Sequence, residues 1–133
     1  IPRSVTFTID ARHPDPEARK ALYAVHDAVL REVSERRRLP LDMRVHMSHD
    51  PCLSDPHLLD VMRSAAAERS IPHLVMPSGA GHDSQQMAAV APVAMIFVRS
   101  KDGRSHTPEE FSSIADLAKG TELLAESLYK LAY

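Results

Sequence analysis

The sequence predicts an α/β fold in which a short α+β layer leads into alternating helices and mostly parallel strands. Three observations carry this. Apolar and polar residues alternate over 5–12 and again over 41–47, the period of two of a half-buried strand. Apolar residues recur at steps of three and four along 18–33 and 114–131, the stripe of a helix face. From Pro56 onward these signals run helix, strand, loop, helix, strand, loop, helix, which is the order of parallel strands with helices packed around them.

Composition bounds the reading. The 133 residues suffice for one ordinary domain, and 44% apolar with 26% charged residues is a globular balance. A net charge of −2 gives no electrostatic basis for binding nucleic acid or a membrane surface. Cys52 is the single cysteine, so no internal disulfide forms and a reducing, cytoplasmic setting is the expectation. No apolar run approaches the ~18 residues of a membrane span, and no signal peptide is expected. The opening Ile1-Pro2-Arg3, without an initiator methionine, suggests a fragment or a processed chain.

The first strand places Val5, Phe7, Ile9 and Ala11 on one face and Thr6, Thr8, Asp10 and Arg12 on the other. Arg12 reads either as a solvated edge charge paired with Asp10 or as an anion clamp on an open sheet face. His13-Pro14-Asp15-Pro16 is a turn, with Asp15 as N-cap and Pro16 at the first helical position. The helix that follows would bury Ala18, Leu22, Val25, Val29 and Val33. It would end near Arg38, before Pro40, with Arg36, Arg37 and Arg38 at the negative end of its dipole. Leu41, Met43, Val45 and Met47 form the second strand, and the layer leaves one sheet face free.

His46, His49 and Cys52 stand three residues apart, a spacing open to a metal site. With one cysteine and with turn residues Asp50-Pro51 and Ser54-Asp55-Pro56 around them, a polar connector is the better reading, and it marks the domain boundary. Pro56 opens a second helix with Leu58, Leu59, Met62, Ala65 and Ala66 on its apolar face, ending near Ser70. Leu74-Val75-Met76 is a short strand. Met76 to Asp83 is a glycine turn, followed by a weak helix over 84–90. The continuous apolar run 94–98 reads as a strand covered on both faces.

Ligands in such sheets lie beyond the carboxyl ends of the strands, so loops 77–83 and 99–107 are expected to face one crevice. The turn Pro77-Ser78-Gly79-Ala80-Gly81-His82-Asp83 reads as a tight strand-to-helix connection capped by Asp83, or as exposed amides for a carboxylate or phosphate. In the second loop, His106 is either a surface or capping histidine or a metal ligand. Thr107-Pro108-Glu109-Glu110 has a capping-box pattern. The last helix would bury Ile114, Leu117, Thr121, Leu124, Leu128 and Leu131, while Gly120 would permit close approach to the sheet at a helix-propensity cost of about 1 kcal/mol.

Taken in order, Pro77-Ser78-Gly79-Ala80-Gly81-His82-Asp83, Met87, Met95-Ile96-Phe97-Val98, Gly103-Arg104-Ser105-His106, Glu109, Asp116-Leu117 and Gly120 resemble one signature. It is that of the amidase, hydantoinase/carbamoylase family, within the dinuclear-zinc aminoacylase/carboxypeptidase superfamily. This family includes N-carbamoyl-L-amino-acid hydrolases, allantoate amidohydrolases and β-ureidopropionases. The opening Ile1-Pro2 and the strand Val5 to Arg12 are similar to a strand of the same family, so the resemblance covers nearly the whole chain.

The resemblance implies a catalytic α/β domain interrupted by a ferredoxin-like dimerisation domain. Residues 1–48 would be the second half of the inserted domain, the contact of a homodimer, and 49–133 the end of the catalytic domain. It implies two divalent metal ions, zinc or manganese, cobalt or nickel, with His106 as one ligand. Arg12 would hold the substrate carboxylate, reaching into the partner subunit's site. Gly79, Ala80 and Gly81 would present backbone to the same carboxylate. His82 belongs to this substrate-binding turn, with Asp83 beside it, and the signature gives neither a defined role.

The implied reaction is hydrolysis of a ureido C–N bond by metal-activated water. The family's other metal ligands and its glutamate general base would lie upstream, so this chain contains no catalytic base and is expected to be inactive alone. Val93-Ala94 and Arg99 depart from the signature and leave the substrate open. Two alternatives stand beside this reading. One is a non-catalytic dimerisation or carboxylate-binding module. The other, more distant, is a serine hydrolase on Ser78, His82 and Asp83.

Overall fold

The structure is a computed structural model that describes residues 2–133, so Ile1 of the first-strand signature lies outside the described residues. Helices carry its regular structure: α1 Pro16–Arg37, α2 Pro56–Glu68, α3 Ser84–Met87 and α4 Ile114–Ala132, with one 3₁₀ turn at Lys101–Gly103. The chain divides into two compact units. One is the chain up to Cys52 with Pro77–Gly81; the other is Leu53–Met76 with His82–Tyr133.

In the first unit α1 starts and stops where its local chemistry dictates. Asp15 has extended backbone, and its carboxylate accepts the Glu17 N–H at 2.8 Å, with Pro16 in the first turn. At the other end Arg38 turns left-handed (φ 55°). The Arg38 and Leu39 N–H groups then reach back to the Glu35 and Ser34 carbonyls at 3.1 and 2.9 Å. Arg19 donates to the Ser48 hydroxyl at 3.1 Å and to Asp50 at 2.6 Å, tying α1 to the polar connector.

The expected burial of the α1 stripe does not occur. No residue of α1 is buried, and Val25 and Val29 are 57% and 50% exposed. Val5, Phe7 and Ile9 are exposed as well. The two expected strands of this unit do not form, nor do those at 74–76 and 94–98: no strand is assigned among the described residues. A helix closes its hydrogen bonds within itself, whereas a strand exists only as one side of a ladder. None of the four segments has a ladder partner here.

The second unit is organised on α2 against α4. Asp55 caps α2 by accepting the Leu58 N–H at 3.0 Å, and its own N–H donates to the Val93 carbonyl at 2.8 Å. The core consists of Ala65, Ala66, Ile71 and Leu123, with Ile96 packed on it. Ser127 is 2% exposed, and its hydroxyl is satisfied by the Leu123 carbonyl one turn back, at 2.7 Å.

Two expectations for α4 are corrected. It begins at Ile114, after the cap Ser113, rather than at the Thr107–Glu110 box. Ser113 Oγ accepts the Asp116 N–H at 3.1 Å, so Ser113-x-x-Asp116 is the operative box. Glu110 is spent elsewhere, accepting the His106 N–H at 2.8 Å. The buried face is also not the leucine stripe. Leu123 and Ser127 face inward, while Leu117, Leu124, Leu128 and Ile114 are exposed. The small side chains of Ala65 and Ala66 leave room for Leu123, with Ser127 one turn further on.

Gly120 behaves as expected of a close approach: a Cβ built there would lie 2.6 Å from Val98 Cγ2. Lys130 pairs with Glu68 at 2.8 Å and Arg69 with Glu126 at 2.9 Å, both joining α2 to α4. The Lys130 hydrogen bond, followed by that of Ser64, lowers the Glu68 pKa from its ordinary 4.5. No helix is long and apolar enough to cross a membrane among the described residues.

Candidate functional site

Two of the residue groups singled out from the sequence meet in the first unit. Arg12 Nε donates to Asp10 Oδ1 at 2.8 Å, and Nη2 donates to Asp10 Oδ2. Arg12 Nη1 donates to the Gly79 carbonyl oxygen across 67 positions of sequence. The hydrogen bond from Arg12 is the main cause that holds the Asp10 carboxyl below its ordinary 3.8, and Asp10 in turn raises Arg12. A guanidinium has five N–H donors. Three are used, which leaves one on Nη1 and one on Nη2. The pair is open to solvent, with side chains 58% and 64% exposed. Arg12 is therefore the partner of Asp10, and it reaches the glycine turn of its own chain.

The turn itself differs from expectation in detail. Ser78 Oγ accepts the Ala80 N–H at 3.2 Å and donates to the Ala80 carbonyl at 3.0 Å, so the Ala80 amide is already occupied. Gly79 turns its carbonyl to Arg12, which takes the place of an amide facing an anion. Its φ is not in the left-handed region, and a Cβ there would touch nothing within 4 Å. Neither backbone conformation nor packing within this chain requires glycine at 79. What remains is room for another group to approach the backbone.

His82, in the second unit, has a defined partner. Its Nδ1 accepts the Ser84 N–H at 3.0 Å. His82 thus does the capping expected of Asp83, whose backbone is already helical and whose side chain makes no cap bond. The cue was present in the sequence: His13 makes the same bond to the Asp15 N–H at 3.0 Å, one turn ahead of α1. With Ser78 bonded to Ala80 and His82 to Ser84, the arrangement gives no support to a nucleophile–base pair.

His106 stands in the same unit on an exposed loop, with left-handed backbone (φ 58°), a conformation uncommon outside glycine. Its N–H is held by Glu110, and the loop that contains it is closed by Lys101 N–H to the Phe111 carbonyl at 2.7 Å. Among the described residues no three histidine, cysteine or carboxylate side chains come close enough to hold a metal ion, and this includes His46, His49 and Cys52. The donors of the described residues do not by themselves build a metal centre.

Comparison with known proteins gives the class first: its relatives include amidohydrolases that carry the same segment. The sequence model of peptidase family M20/M25/M40 matches residues 6–130, and the chain belongs to that family. It is 37% identical over 124 residues to N-carbamoyl-L-amino-acid amidohydrolase of Paenarthrobacter aurescens, covering 93% of this chain and 30% of the relative. It is 34% identical over 133 residues to allantoate amidohydrolase of Escherichia coli, covering 100% of this chain and 32% of the relative. The crystal structure of AtUAH in complex with glyoxylate superposes with a TM-score of 0.75 at 35% identity, over 88% of this chain and 28% of that one. The chain thus spans about a third or less of the length of these proteins.

Proposed function

We propose that this chain is the C-terminal part of a metal-dependent amidohydrolase that cleaves the ureido C–N bond of N-carbamoyl amino acids or allantoate-like acids. The observation that carries the reading is the Arg12 guanidinium, seated on the Gly79 carbonyl with two donors unspent. The relatives' names share one chemistry: N-carbamoyl amino acids, allantoate and ureidoglycolate all join a ureido group to a carboxylate. AtUAH was crystallised with glyoxylate, a small carboxylate. Arg12, with the turn of Gly79, Ala80 and Gly81, forms the carboxylate subsite. The open space over Gly79 admits the substrate backbone.

His106 supplies one imidazole to a centre of two divalent ions whose other ligands, with the general base, come from sequence upstream. When bound, these ions provide Lewis acidity and an activated water. The part played by Arg12 is to fix the acid end of the substrate by charge-assisted hydrogen bonds, which orients the ureido carbon. In the same reading residues 1–48 belong to a ferredoxin-like dimerisation domain in a cytoplasmic homodimer. The bare faces of Val5, Phe7 and Ile9 and of α1 support a covering partner. The unpaired segments become strands of sheets completed by the rest of the protein.

The test is an assay of the full-length protein on N-carbamoyl-L-amino acids, allantoate and ureidoglycolate. Hydrolysis of at least one is expected, and Arg12→Ala should raise its KM about a hundredfold, the scale of losing two charged hydrogen bonds. His106→Ala should lower bound metal as measured by elemental analysis. Absence of hydrolysis of all three ureido acids by metal-loaded protein would reject the reading.

A further inference from the structure

We infer that Asp10 is a positioning residue: it clamps the inner edge of Arg12, so that the remaining guanidinium donors are presented to a substrate carboxylate in one fixed orientation. The inference rests on the proposed role of Arg12.

An arginine side chain has four rotatable torsions and loses much entropy when a ligand fixes it. Here that loss is met before any ligand arrives. Asp10 takes Nε and Nη2 side-on, with Nε–Oδ1 at 2.8 Å, and the Gly79 carbonyl takes a third N–H on Nη1. The two N–H groups left over sit on different terminal nitrogens, the number that a bidentate carboxylate uses. Asp10 and Arg12 are two residues apart, which would put both side chains on one face of an extended segment.

A purely stabilising role explains the pair poorly. Both side chains are more than half exposed, and exposed ion pairs are screened and contribute little to stability. The ordering of the guanidinium is the effect that remains. A carboxylate at 10 also carries a negative charge beside the anion seat, which a simple anion-binding surface would avoid. That charge is tolerable because it is neutralised by two directed hydrogen bonds from the same guanidinium.

The experiment uses the full-length protein and isothermal calorimetry with N-carbamoylglycine and with its uncharged amide, N-carbamoylglycinamide. Asp10→Asn retains size and removes the charge; Asp10→Glu restores a carboxylate. Asp10→Asn should weaken N-carbamoylglycine about tenfold, leave the amide within about twofold and leave the thermal midpoint unchanged; Asp10→Glu should recover part of the loss. Equal weakening of acid and amide, or full affinity in Asp10→Asn, overturns the positioning role. Arg12→Ala, run in parallel, separates the two levels. If it abolishes discrimination between acid and amide while Asp10→Asn does not alter it, the carboxylate subsite stands and this inference falls. If Arg12→Ala changes nothing, the subsite itself falls.

Discussion

The α2–α4 pair and helix α1 both carry an apolar stripe yet meet opposite fates. Between α2 and α4 the buried residues are Ala65, Ala66, Leu123 and Ser127, all small or medium, and every polar atom of Ser127 that matters is bonded within the helix. Along α1, a longer helix of 22 residues with a well-formed cap at each end, nothing is buried at all. The difference teaches that a periodic stripe states a capacity for burial, while burial itself needs an opposing surface. Where the opposing surface is present, α4 presents Leu123 and Ser127 to it and leaves Leu117, Leu124 and Leu128 outside.

The strongest way to break this contrast is to enlarge a side chain at equivalent depth in sequence but not in packing. Ala65→Leu should destabilise the chain by about 3 kcal/mol in urea unfolding, because a fully buried site has no room for three more carbons. Ala24→Leu on exposed α1 should stay within about 0.5 kcal/mol. Comparable losses at both positions would show that α1 is packed in solution and that the contrast is wrong.

A smaller effect is expected at Gly120. The new methyl would meet Val98 at 2.6 Å, an overpacking cost of about 1–3 kcal/mol, while alanine gains about 1 kcal/mol in helix propensity. The net expectation for Gly120→Ala is a loss of about 1 kcal/mol. Adding Val98→Ala should recover most of that loss, since the clash is removed, and a double-mutant cycle measures the coupling.

Gly79→Ala provides the sharpest separation of fold from site. With no left-handed φ and nothing within 4 Å of the new Cβ, stability should hold or rise by up to about 1 kcal/mol. Calorimetry with N-carbamoylglycine on the full-length protein should show weaker binding all the same. A stable variant with intact binding would leave the open space over Gly79 without a use.

The smallest effect concerns pH. Glu68 has a lowered folded pKa, chiefly through its hydrogen bond to Lys130. Its contribution to stability is therefore complete above the ordinary value of 4.5 and is lost as pH falls through the lowered folded value. Lys130→Met should narrow the difference in thermal midpoint between about pH 6 and about pH 3, by an amount that shrinks with added salt.

Much of the candidate site could be read in the sequence as residue types, and little as geometry. Arg12, the glycine turn and His106 were visible by kind. That Gly79 would offer its carbonyl to Arg12, and that Ser78 would occupy the Ala80 amide, depends on side-chain and backbone directions that a linear pattern does not carry. The roles of His82 and Ser113 were legible in principle, from the His-x-Asp turn at 13–15 and the Ser-x-x-Asp spacing, because both act on an N–H two or three residues away.

By itself the sequence determined where α1 and α2 start. Asp15-Pro16 and Asp55-Pro56 start α1 and α2, and the bonds that hold those starts are local. Tertiary structure alone decided which face of α4 is buried, that Val98 is the neighbour of Gly120, and that Arg12 reaches residue 79. The reason is range. A cap or a helical turn is satisfied by neighbours along the chain, whereas a ladder, a buried face or a seated guanidinium is satisfied only by residues that folding brings from far away.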